Sequence, residues 1–173
     1  YRPHPAVTAL MSRIRAHRTA SFNPVIAGIT SWLGGPAERD PTRQRFFAGA
    51  ADRAHELGYA LEEFCALAPG LTIARLNGIL QARGIEGLLI FPLEKPVSLP
   101  FDWRRFSSAT IGYTFDQVAL HRAVPAYFEN VVIALRELHG RGYRRIGLVN
   151  TPALRDRLLR NWLGAFCAWQ SEH

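Results

Sequence analysis

No acidic residue occurs before Glu38. Over the same stretch Arg2, Arg13, Arg15 and Arg18 supply four positive charges, so of the formal net charge of +7 the remainder of the chain carries 7 − 4 = +3. The basic character is thus concentrated in an N-terminal arm, which suits either a polyanion partner or a solvated basic tail. Cysteine is scarce: Cys65 and Cys167 stand far apart in apolar patterns, with no second Cys nearby to form a metal knuckle, and are expected to be buried free thiols. No apolar run reaches the roughly 18 to 20 residues of a membrane helix. The N-terminus lacks the compact apolar segment and small-residue cleavage site of a secretion signal, so a cytoplasmic protein without a membrane partner is expected.

Catalytic signatures are missing as well. There is no Walker loop and no GxSxG elbow, and Gly140-x-Gly142 follows a helical pattern where a dinucleotide fingerprint would follow a strand. The six histidines are scattered, without the i, i+4 pairing of a zinc site. Glu62 and Glu63 are adjacent on a predicted strand, point to opposite faces, and cannot serve as an acid/base pair. Neither an enzyme nor a bound cofactor or metal is expected.

What the 173 residues do contain, at 48% hydrophobic and 20% charged, is ordinary globular composition arranged in a repeated strand–helix grammar. Val25 to Ile29 reads as a buried strand. A helix follows Asp40-Pro41, carries Phe46, Phe47, Ala50, Ala54 and Leu57 on one face, and stops at Gly58. Ala60 to Leu67 alternates partially, as an edge strand should, and a helix from Leu71 to Arg83 with Leu76, Ile79 and Leu80 is closed by Gly84. Gly87 to Phe91 is entirely apolar and therefore central. A short helix at Asp102 to Phe106, a strand at Ala109 to Tyr113, a short strand at His121 to Val124 and a long helix from Tyr127 to His139 come next. After the turn at Gly140 to Gly142, Ile146 to Val149 reads as a short buried strand, and a final helix spans about Arg155 to Trp169.

This order predicts an α/β fold: a parallel sheet with helices on both faces, joined by right-handed crossovers. Ligands of such sheets sit beyond the carboxyl ends of the strands. The loops there are Ser31-Trp32-Leu33, Phe91-Pro92, Tyr113-Thr114, Pro125-Ala126 and Asn150-Thr151. Trp32 either stacks on the apolar face of a sugar or heterocycle or covers the end of the core, while Ser31, Tyr113 and Asn150 can hydrogen-bond a ligand.

Two stretches resemble LacI/GalR-type bacterial transcription regulators. Gly142-Tyr143-Arg144-Arg145-Ile146-Gly147 is similar to the family's turn after a helix, with Tyr143 in place of its usual His. Tyr1-Arg2-Pro3-His4-Pro5 followed by Ala9-Leu10 is similar to the segment that leaves the family's helix-turn-helix module and becomes its hinge helix. The resemblance implies a periplasmic-binding-protein-like first lobe over residues 19–173, preceded by a hinge segment at 1–18, with the helix-turn-helix module and most of the second lobe outside this sequence. It implies a homodimer, formed through the helices near 41–57 and 71–83, that binds a double-stranded DNA operator. The contacts would come from Arg2, Pro5, Ala9, Leu10 and Arg13. Leu10 would wedge between base pairs in the minor groove, where an apolar wedge unstacks a base step and bends the duplex. The other reading of Leu10 is a cap on the neighbouring core. A small-molecule effector, a sugar or related compound, would be met by Ser31, Trp32, Phe91, Tyr113, Asn150 and Asn161. Asn161 opens Asn161-x-x-Gly164, where the family has Arg-x-x-Gly on its last helix. The alternative reading of the same fold is a sugar-binding protein of a transport system.

Overall fold

The computed structural model describes residues 24–33, 41–94, 97–152, 158 and 160–173. Residues 1–23 lie outside the described residues, and with them the expected hinge segment and Arg2, Pro5, Ala9, Leu10 and Arg13, as do 34–40, 95–96, 153–157 and 159.

Five strands, β1 (Val25–Thr30), β2 (Ala60–Cys65), β3 (Gly87–Ile90), β4 (Ser107–Ile111) and β5 (His121–Ala123), form one sheet in the order β2-β1-β3-β4-β5. Every pairing is parallel, with Ile26 opposite Leu61 and Gly87, and Leu89 opposite Ala109. The apolar β3 is central, and partly polar β2 is an edge, as the sequence predicts. The chain steps outward from β1 to β2 through α1 (Pro41–Glu56), then back across β1 to β3 through α2 (Ile73–Ala82). Two right-handed crossovers running in opposite directions place these helices on opposite faces.

Strand alternation then divides the core. Ala27, Ile29, Leu88 and Ile90 join Leu76 and Leu80 of α2 in one buried cluster. Gly28 faces the other way, where a Cβ would stand 3.0 Å from the Phe91 ring and 3.4 Å from Phe47, a spacing that leaves room only for hydrogen. Beyond α2 the cluster is extended by Val97, Leu99, Phe101, Phe106 and Phe115 from irregular chain around a short 3-10 helix (Trp103–Arg105). Gln117 holds that cover together by accepting from the Leu99 N–H (3.0 Å) and donating to the Val97 carbonyl.

Two further helices, α3 (Tyr127–Gly140) and α4 (Asn161–Glu172), pack on each other. Gly142, at φ 93°, makes the turn after α3, with the Tyr143 N–H donating to the Leu138 carbonyl at 3.2 Å. None of the described helices is long and apolar enough to cross a membrane.

Four expectations need correction. Ile146 to Val149 is not a strand: Ile146 and Leu148 lean against α3 and α4, but Val149 is 96% exposed and no described strand lies alongside. A strand apolar on both faces requires neighbours that satisfy its backbone, and sequence pattern alone cannot supply them. β4 begins two residues before the predicted position and ends at Ile111, before Gly112 (φ 79°), which leaves Tyr113 in the loop. α4 starts at Asn161, directly after Arg160 in the left-handed region (φ 60°), which interrupts the predicted helix. Finally, Cys65 is half-buried, its thiol donating to the Trp32 carbonyl (3.2 Å), while Cys167 is exposed on α4. Helical periodicity marks an apolar face but not whether anything covers it.

Candidate functional site

At the carboxyl ends of β3 and β4 the sheet opens into a cavity of about 310 Å3. Pro92 and Gly112 line its sheet side, and Tyr113 and Thr114 form one wall. Thr42, Arg43 and Phe46, from the first turns of α1, form a second. The third side comes from the helical pair and the chain just before α4: Tyr127 at the start of α3, Leu158 ahead of α4 and Trp162 in its first turn. It is a cleft between the sheet and the α3–α4 pair, and four aromatic side chains line it.

Side chains fix the loop after β3 from three directions. Trp32 donates its indole N–H to the Pro92 carbonyl (3.0 Å), Thr114 Oγ1 accepts from the Leu93 N–H (2.8 Å), and Ser31 Oγ accepts from the Glu94 N–H (2.8 Å). The Glu94 carboxylate pairs with Arg43. The opposite loop is held by Arg122 of β5, which donates to the Gly112 carbonyl and, at 2.8 Å, to the Phe115 carbonyl. The same guanidinium lies 5.6 Å from the centre of the Tyr113 ring, a cation–π contact.

The six proposed effector residues are thereby separated. Tyr113 lines the cavity. Ser31, Trp32 and Phe91 lie in the layer beneath it: Trp32 is 3% exposed and edge-on to Phe91 at 5.4 Å, and Phe91 stacks on Phe47 at 5.3 Å. Trp32 is thus buried at the end of the core and is not among the residues that line the cavity. Asn150 lines a separate hollow of about 280 Å3 with Thr151, Leu163 and Phe166, and both polar atoms of its amide are buried without a partner. Asn161 donates through Nδ2 to the Leu158 carbonyl (2.6 Å) and bonds its own turn, one position from the cavity-facing Trp162.

Sequence reasoning missed Arg43, Phe46, Tyr127 and Trp162 as lining residues. Phe46 and Trp162 carry helical periodicity and read as core. The available signal was positional: helix starts that follow strand ends face the ligand side of such a sheet. Chemically the wall offers apolar surface and hydrogen bonds. None of its described lining residues is a carboxylate, imidazole or thiol. No group of three or more His, Cys, Asp or Glu side chains able to hold a metal occurs among the described residues.

No family model and no curated protein matches the sequence. Solved structures do. The transcriptional regulator CelR–cellobiose complex is 19% identical, with a TM-score of 0.61, over 96% of this chain and 54% of that one. The trehalose repressor from Escherichia coli is 18% identical, with a TM-score of 0.57, over 87% of this chain and 57% of that one. A LacI family transcriptional regulator from Lactobacillus casei with bound glucose is 16% identical, with a TM-score of 0.51, over 84% and 55%. The chain spans about half the length of these structures. At such identities the shared property is the fold, the periplasmic-binding-protein-like α/β architecture of LacI-type regulators.

Proposed function

We propose that this chain is the ligand-sensing part of a DNA-binding transcription regulator whose effector is a carbohydrate. The observation that carries the reading is the aromatic cleft at the carboxyl ends of β3 and β4, in a fold shared with regulators that include cellobiose- and glucose-bound examples. Sugar rings present apolar C–H faces that stack on aromatic side chains, with hydroxyls left for a few placed polar groups.

The resemblance implied a first lobe over residues 19–173; in this reading the lobe ends near residue 123, and α3, the apolar segment 146–149 and α4 begin a second. Effector held between the lobes favours one of two arrangements of a homodimer, and the hinge segment at residues 1–18, with Leu10 as its wedge, transmits that preference to operator DNA. The sheet, α1 and α2 form one jaw; Tyr127 and Trp162 belong to the other.

The test is to titrate the intact protein with glucose, cellobiose and trehalose, following tryptophan fluorescence and, in parallel, affinity for operator DNA. One of these sugars is expected to change both signals, with the fluorescence change lost in Trp162→Phe. DNA affinity that is independent of salt and unmoved by every sugar would overturn the reading, because phosphate contacts make genuine DNA binding steeply salt-dependent.

A further inference from the structure

The histidines are scattered in sequence, but the fold brings two of them together. His139, near the end of α3, and His173, directly after α4, have ring centres 5.2 Å apart. We propose that this pair binds an imidazole-seeking divalent transition ion, copper(II) most tightly. The site stands apart from the carbohydrate reading: at roughly 1.5 Å per residue, His139 lies about 18 Å along α3 from Tyr127 of the cleft.

The separation of the rings is the first ground. An imidazole nitrogen about 2.0 to 2.1 Å from a metal puts the ring centre about 3.2 Å from it, and two such rings at a tetrahedral angle stand about 5 Å apart. Trp169 fixes how the second ring is presented. Its indole stacks on His173 at 3.8 Å with the planes 5° apart, and its centre is 5.9 Å from that of His139. These three separations put His139 beside the edge of the stacked pair and not over its face. The edge is where the nitrogens of His173 are.

Hydrogen bonding is the second ground. His173 Nδ1 lies 3.3 Å from the Trp169 carbonyl, which only accepts, so in this contact Nδ1 carries the proton and Nε2 keeps its lone pair. Ligating histidines are fixed in this way, with one N–H given to a carbonyl and the other nitrogen left for the metal. Among the described residues the His139 ring meets the other two rings and makes no hydrogen bond.

Both histidines line an open hollow of about 210 Å3 with Tyr143, Arg144, Phe166 and Gln170, where water can fill the remaining positions of the ion. Arg144 is the opposing charge. Its guanidinium is engaged with the His139 carbonyl (2.8 Å) and the Tyr143 carbonyl (3.4 Å), and its exposure to solvent screens the repulsion. Two nitrogens and water make an exchangeable site, short of the four ligands of a structural zinc. Nitrogen ligands disfavour magnesium and calcium, and copper(II) heads the affinity order of the divalent first-row ions. A bound ion would tie the carboxyl ends of α3 and α4 together.

Titrating the intact protein with copper(II) chloride, and separately with magnesium chloride, tests this by tryptophan fluorescence and electron paramagnetic resonance. Copper should quench the Trp169 share of the emission and show two coordinating nitrogens per ion, and magnesium should leave the emission unchanged. His139→Gln and His173→Gln should each weaken copper by at least roughly 10- to 100-fold, the cost of losing even an outer partner of a metal ligand. His173 is exposed at the end of α4, so its replacement leaves the fold intact. Trp169→Phe should abolish the quench and keep the two-nitrogen signal, which separates ring contact from ligation.

Copper affinity unmoved by both histidine substitutions would overturn the inference and assign the ion to histidines elsewhere. A single nitrogen per ion would overturn it too, because the pair would then not share a metal. Quenching by magnesium equal to that by copper would reduce the effect to ionic strength and end the proposal.

Discussion

Glu62 and Glu63 show how neighbours in sequence part company in the fold. Glu63 accepts from the Thr30 hydroxyl (2.9 Å), whereas Glu62 reaches across to Arg83 after α2, with two contacts at 2.7 and 2.8 Å. The hydrogen bonds from Arg83 hold the Glu62 carboxyl below its ordinary range, with partial burial opposing and the guanidinium charge reinforcing the shift. A carboxyl lowered in the folded state stabilises above its unfolded pKa, and that contribution is lost as pH falls through the folded value. Both partners are more than a third exposed, so the effect is small and salt-sensitive. Arg83→Gln is therefore expected to lower stability slightly at neutral pH and to leave the two proteins alike at acid pH. Urea unfolding followed from neutrality down through the carboxylate range checks this; a constant difference at every pH would assign the loss to packing.

The elements were legible in the sequence where local chemistry decides them. Gly84 (φ 62°) ends α2 because a residue without Cβ adopts that conformation freely, and the Ile85 N–H then closes on the Leu80 carbonyl at 2.9 Å. The opposite faces of Glu62 and Glu63 follow from the strand period alone. Where the outcome depends on a distant partner, the pattern misled. The apolar run 146–149 has strand composition but no neighbouring strand among the described residues, and Trp32 lies under the cavity, its N–H donated to the Pro92 carbonyl 60 residues away. The cavity was legible as a set of loops but not as a set of side chains, since half of its wall comes from helix starts. At this scale the hinge is testable. Leu10→Ala in the intact protein should weaken operator binding and DNA bending and leave the fold intact. Unchanged affinity and bending would show that Leu10 is no wedge.

For the molecule as a whole, the proposed regulator function requires that coupling between cleft and DNA be mutual. If effector changes operator affinity by some factor, operator must change effector affinity by the same one, and such couplings commonly amount to roughly 5- to 150-fold. Measuring effector Kd in the presence and absence of saturating operator, alongside operator Kd with and without effector, should return equal ratios. Unequal ratios at equilibrium would mean that the two ligands do not share one pair of states.

The three bonds to Pro92, Leu93 and Glu94 bear on how such a cleft can close. They tie the loop after β3 to β1 and β4, while the opposite jaw hangs from chain that enters through Pro125. A vise behaves this way when one plate is bolted to the bench: all travel belongs to the other. If the proposed effector closes the cleft, most of the ordering on the sheet side is complete before it arrives, and the entropy lost on closure falls chiefly on α3 and α4.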